Sequence, residues 1–208
     1  MPRPRSLTPA RIAAAALAVV ERDGLSVLSM RAVAGELGVG AMTLYRYVDG
    51  RVQLEGLVVD LVLSSVDVSV EHGDPWPEQL AVLAERVREA VGDRAAIVPL
   101  LLTQRHATAS TVRWGEAVLG VLTEAGFAAE ERVIAFRTVL AWLLGAIQVE
   151  HLGPLSGAGT DALAGLPADR FPHLAETASH ARGMSADVEF RRGLAIVLRG
   201  LVAAAPEA

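Results

Sequence analysis

The chain has 208 residues, no cysteine, 52% hydrophobic residues and a formal net charge of −5. That length can bury a sizeable core in one or two small domains. The missing cysteines exclude disulfides and thiolate metal sites, and the short, charge-broken apolar runs read as no membrane span. Arg3 and Arg5 before the apolar run 12–20 imitate a signal sequence. However, Glu21, Arg22 and Asp23 follow where small cleavage-site residues would stand, so the run reads as an amphipathic helix.

In chain order every element reads as helix. Thr8 caps the first, with Pro9 in its first position, and Gly24 ends it. Residues 25–28 connect it to a two-turn helix capped by Ser29 and stopped by Gly38. A third short helix spans 40–48, and Asp49-Gly50 breaks the chain. A fourth spans 52–70, with Leu54, Leu57, Val58, Leu61 and Val62 inward. After Gly73-Asp74-Pro75, a helix carries Leu80, Leu83, Ala84, Val87 and Val91. Helices over 94–102 and 108–125 follow. The helix at 130–152 is apolar on nearly all sides, so it must be buried on both. Residues 153–167 are rich in Gly and Ser and read as a mobile surface loop. Two helices, 169–182 and 186–204, close the chain. The fold class is all-α.

Charge divides this chain unevenly. Residues 1–51 hold seven Arg against four acids, whereas the rest holds 12 Arg against 20 acids. A basic head on an acidic body suits a protein that turns one end toward a polyanion. The head also contains two short helices joined by a tight turn at Gly38-Val39-Gly40, which is helix-turn-helix spacing. Small Ala34 allows the helices to cross, and Val33, Leu37, Val39 and Leu44 can form their shared core. Ala41, Met42, Thr43, Tyr45, Arg46 and Tyr47 then face outward, where methyl and hydrogen-bonding groups suit a DNA major groove. Arg51 opens the next helix, where its charge and the backbone N–H groups can meet a phosphate.

The run Leu37-Gly38-Val39, then 43–47 (TLYRY), Arg51 and Leu54, resembles the DNA-binding domain of the tetracycline repressor (TetR) family. Pro75-Trp76, 123–127 (TEAGF), 148–151 (QVEH) and Phe190 with Gly193-Leu194 and Gly200-Leu201 are similar to that family's C-terminal domain. The resemblance implies a cytoplasmic, DNA-binding repressor of transcription. Its three-helix head would be 1–52, with the start of the fourth helix, and its ligand-binding and dimerisation domain 53–208. Arg31, Ala41, Met42, Thr43 and Tyr45 would lie near bases, and Tyr47 and Arg51 at phosphates, with no acidic partner expected for Arg51 in the head. It further implies a homodimer, in which helices near 130–152 and 186–204 form a four-helix bundle with their mates. Gly193 and Gly200 agree, since each costs about 1 kcal/mol in a helix and signals close packing.

Gln104, Trp114, Arg137, Trp142 and Gln148 are the candidate ligand contacts, being polar or aromatic in an otherwise aliphatic body. The expected ligand is small and apolar or amphipathic, and its binding releases double-stranded operator DNA. The alternative is a DNA-binding regulator without such an inducer, governed by a protein partner or by abundance. Tetracycline repressors proper place a magnesium-linked His just before the helix matching 107–125; here 99–102 (PLLL) stands there, against tetracycline itself. The five His are scattered, so no metal site or other cofactor is expected. Ser64, Ser65 and Ser110 lack a His/Asp setting, and no phosphate loop occurs, so no enzyme is expected.

Overall fold

The computed structural model describes residues 7–152 and 157–205, and all its regular elements are helical. They are α1 (Pro9–Asp23), α2 (Met30–Glu36), α3 (Ala41–Leu44), α4 (Arg51–Leu63), α5 (Trp76–Val91) and α6 (Val98–Thr103). Then come α7 (Ala109–Glu124), α8 (Ala129–Leu152), α9 (Ala158–Ala164), α10 (Pro172–Ala181) and α11 (Ala186–Ala204). Short 3-10 turns cover Leu25–Val27 and Ala95–Ile97. Contacts group residues 1–73 with 82–120, and 74–81 with 121–208, so α5 and α7 each contribute to both units. Arg3 and Arg5 lie outside the described residues.

In the first unit, α1 packs against α4, α2 and both 3-10 turns. Its apolar positions Ile12, Ala16, Val19 and Val20 are fully buried, which is the 3.6-residue periodicity of a one-sided helix. Thr8 and Ser29 cap α1 and α2 through their hydroxyl oxygens, which accept from the Arg11 and Ala32 N–H groups at 3.3 and 3.2 Å. Ser29→Ala is expected to cost about 1 kcal/mol of local stability. Faster amide hydrogen exchange across 30–37 would register it, and an unchanged rate would contradict the cap's role. Arg22 joins α1 to α2 by an ion pair with Glu36 at 2.8 Å, beside a second with Asp23 at 2.9 Å. Hydrogen bonds to the two carboxylates raise the guanidinium pKa above its ordinary value.

The fourth helix stops at Leu63, short of the expected residue 70. Ser64 and Ser65 donate their hydroxyls back to the Leu61 and Val62 carbonyls. Arg86 of α5 donates to the Asp67 and Ser69 carbonyls at 2.8 and 2.5 Å, tying the segment after α4 to α5. The Ser69 N–H and hydroxyl, with Arg86 beyond them, hold the Asp67 carboxyl below the usual carboxylate range. Asp60 of α4 accepts the Ser110 N–H at 2.9 Å and so fixes the start of α7.

The second unit pairs α8 with α11 and α9 with α10. Ala135, Val139, Leu143 and Ile147 on α8 are buried, as are Phe190, Leu194, Leu198 and Leu201 on α11. Trp142 stacks tilted on Phe190, with centroids 5.1 Å apart. A Cβ on Gly193 would lie 2.9 Å from the Trp142 ring, so glycine is what permits this close approach. Residues 153–167 were expected to form a loop, but α9 occupies 158–164 and Gly153 to Ser156 lie outside the described residues. Seven residues are too few for a hydrophobic stripe to register. Packing on α10 and an ion pair of Asp161 with Arg182 at 2.8 Å stabilise the helix instead. The expectation of no membrane-length segment also needs correcting. By length and composition, 129–151 of α8 could cross a membrane, with mean hydropathy 1.5 and 22% of the window buried. The charges cluster at its ends, leaving Arg137 as the main interruption between them.

Candidate nucleic-acid interface

The turn between α2 and α3 has a specific backbone cause. Gly38 adopts φ +67°, the left-handed region that favours glycine. Its N–H bonds the Gly35 carbonyl at 3.1 Å, while the Val39 N–H bonds the Ala34 carbonyl at 2.9 Å. This pair of bonds closes α2 as a Schellman motif and sets the direction of the next segment. Val33 and Leu44 are fully buried and Ala34 nearly so, whereas Leu37 and Val39 are half-buried.

The third helix is shorter than the expected 40–48. Only Ala41–Leu44 is α-helical. Tighter bonds from the Arg46 and Tyr47 N–H groups to the Thr43 and Leu44 carbonyls carry the chain onward. Its outward face agrees with the sequence pattern. Met42 is 79% exposed, and Tyr45 and Tyr47 are 49% and 46% exposed. Thr43, Arg46 and, on α2, Arg31 are exposed, while Ala41 is half-buried.

Next to this face, α4 begins at Gly50 without a side-chain cap. The Asp49 N–H is taken by Gln53 Oε1 at 2.6 Å, but the first-turn N–H groups of α4 have no intrahelical partner. Together with the helix dipole they suit an anion. Arg51 was expected to have no acidic partner, and the structure corrects this. Its Nε donates to Glu55 Oε1 at 2.8 Å, and its Nη2 donates to the Leu25 carbonyl at 3.0 Å. The i,i+4 spacing of Arg51 and Glu55 is the sequence signal that could have revealed the pair.

The candidate ligand contacts divide between the two units. Gln104, buried at the end of α6, places Nε2 3.4 Å from Glu55 Oε2. Trp114 is buried and donates its indole N–H to the Leu83 carbonyl at 3.0 Å. Arg137, Trp142 and Gln148 lie on α8, exposed, half-buried and half-buried respectively. Arg137 and Gln148, eleven apart, share a face that Trp142 does not. One groove of about 670 Å³ runs beside Arg51, Gly56, Asp60, Gln104 and Thr108 in the first unit. Another, of about 460 Å³, is lined by Trp142, Gly145, Val149, Phe190 and Gly193 in the second.

Residues 70–205 match the family model described as "Tetracyclin repressor-like, C-terminal domain". The chain is 28% identical over 146 residues to an HTH-type transcriptional regulator of Saccharopolyspora erythraea, covering 70% of this chain and 62% of that one. It is 35% identical over 120 residues to the HTH-type transcriptional repressor DrrR1 of Streptomyces coeruleorubidus, covering 57% and 40%. The chain therefore spans less than two thirds of either relative's length. Among solved structures, the TetR family protein ActR of Streptomyces coelicolor in complex with actinorhodin superposes with TM-score 0.82 at 27% identity. That alignment covers 97% of this chain and 100% of the other. ActR in complex with (S)-DNPA gives the same score and identity, covering 96% and 98%.

Proposed function

The chain belongs to the TetR family of transcriptional regulators, and from that premise we propose that it is a homodimeric repressor released from operator DNA by a small apolar or amphipathic ligand. The observation that carries the DNA-binding part is the exposed set Met42, Thr43, Tyr45, Arg46 and Tyr47 beside the uncapped start of α4. Exposed aromatic and apolar side chains on a short segment are costly in water and useful against base edges and sugar-phosphate. In this reading Arg31, Ala41, Met42, Thr43 and Tyr45 face bases. Arg46, Tyr47 and Arg51 contact the backbone. Ala41 and Met42 offer only apolar contact, which suits a thymine methyl.

The dimer is supported by two exposed, mainly apolar stripes in the second unit. On α8, Ile134, Thr138, Ala141, Gly145 and Val149 fall on one stripe, away from the buried one. On α11, Ile196 and Gly200 do the same, next to Gly193, which Trp142 covers. A second copy covering these faces would make the four-helix bundle expected from sequence. It would also explain a membrane-length helix without a membrane.

The ligand part rests on the ActR complexes with actinorhodin and (S)-DNPA, so these compounds are the first to test here. A second reading, a regulator with no small inducer, governed by a protein partner or by abundance, is favoured by one observation. The side-chain amide of Gln104 and the indole of Trp114 already bond to protein atoms. Neither reading includes a catalytic step, and both place the chain in the cytoplasm with the DNA it regulates.

The test is fluorescence anisotropy on a labelled duplex across a salt series. Arg51→Ala should lower the slope of log affinity against log salt by about one counterion. Thr43→Ala should leave that slope unchanged and instead alter which sequences are enriched from a random pool. An unaltered slope for Arg51→Ala would remove Arg51 from the interface.

A further inference from the structure

We propose that Glu55 is a positioning residue for DNA binding, holding the Arg51 guanidinium in the orientation that meets a phosphate. The proposal rests on the phosphate role of Arg51 given above and concerns a residue to which that reading assigns nothing. Glu55 lies one turn into α4, with its side chain only 15% exposed, against 46% for Arg51. Both carboxylate oxygens are committed, Oε1 to Arg51 Nε at 2.8 Å and Oε2 toward Gln104 Nε2 at 3.4 Å. Gln104 thus holds the carboxylate from the side away from Arg51.

Arg51 is held on one edge only. A guanidinium carries five N–H donors in a rigid planar fork. Nε is taken by Glu55 and one Nη2 hydrogen by the Leu25 carbonyl. The two anchors come from different elements, α4 and the 3-10 turn after α1, so together they fix both the direction and the plane of the fork. Nη1 keeps its hydrogens, and one of them, with the second Nη2 hydrogen, forms the outer edge that can pair two-pronged with a phosphate. An arginine on an open helix start would otherwise sample many rotamers and lose that freedom on binding.

Glu55 also brings a negative charge near the phosphate, which opposes binding. The two effects separate in a double-mutant cycle. Repulsion from Glu55 acts whether or not Arg51 is present, whereas positioning acts only through Arg51.

The experiment uses the full chain and a labelled duplex of arbitrary sequence, with Glu55→Ala and Glu55→Gln made in both the Arg51 and the Arg51→Ala backgrounds. Glu55→Ala should weaken binding about tenfold more with Arg51 present than with alanine there. Glu55→Gln keeps an oxygen acceptor for Nε and should recover most of that loss, and it serves as the test if the alanine variant unfolds. Equal effects of Glu55 substitution in the two backgrounds, of either sign, would overturn the proposal. Failure of the underlying reading looks different, because Arg51→Ala would then leave affinity and salt slope unchanged while Glu55 is intact.

Discussion

Ile196→Glu is expected to convert the protein to a monomer at micromolar concentration in sedimentation velocity, and to lower operator affinity about a thousandfold. Ile196 is 61% exposed at the middle of α11, on the stripe it shares with Gly200. In a twofold-symmetric interface each patch is its own partner, so one substitution places two carboxylates in the same dry region. Each would lose hydration without gaining a cation, and like charges would face one another. The loss in DNA affinity then comes without any change at the DNA-facing segment. A dimer engages two half-sites, and the second contact is intramolecular; a monomer has only one. The variant's circular dichroism should remain helical, because Ile196 leaves the buried row of Phe190, Leu194, Leu198 and Leu201 intact. A variant that stays dimeric would show that α11 is not at the interface.

The second large effect is reciprocal. A compound that reduces operator affinity a hundredfold must favour the released state by about 2.7 kcal/mol. Burying roughly 100 Å² more apolar surface in that state supplies this at about 25 cal/mol per Å². Saturating operator must then weaken the compound's own binding by the same factor, because the coupling free energy belongs to both ligands. The helix contacts offer a route for such coupling. In the first unit α4 packs against α6, and Gln104 at the end of α6 reaches Glu55 on α4. A ligand that moves α6 would disturb the carboxylate that orients Arg51. Calorimetric titration of the compound with and without operator reads the coupling directly. Equal affinities in both would mean that the compound is not an inducer, and would favour the reading without one.

Local chemistry made the head legible from sequence. Thr8 and Ser29 are caps, Gly24 and Gly38 are helix stops with positive φ, and the apolar spacing of α1 gives its buried row. Each of these is decided within a few residues of chain. What was not legible depends on partners far away in sequence. Arg86 reaches back to Asp67 and Ser69, so the end of α4 depends on a side chain in α5. The α9 helix is too short to show a stripe and is held by α10 and Arg182. At the candidate DNA face, the outward residues followed from helix-turn-helix spacing. The bond from Arg51 to the Leu25 carbonyl did not, because it joins positions 26 residues apart. Its partner Glu55 was within reach of the i,i+4 rule. Among the ligand candidates, the side-chain bonds of Gln104 and Trp114 to Glu55 and Leu83 are likewise non-local, and nothing in the local pattern announces them.

The most direct test is to select bound duplexes from a random pool with the purified full chain, then footprint the winner and determine the stoichiometry of its complex. A palindromic site should be enriched, with two half-sites roughly 34–36 Å apart and two chains bound per palindrome. Thr43→Ala or Tyr45→Ala should select a different palindrome with the same half-site spacing. Failure to enrich any sequence, or protection of a single half-site by one chain, would contradict operator binding by a dimer.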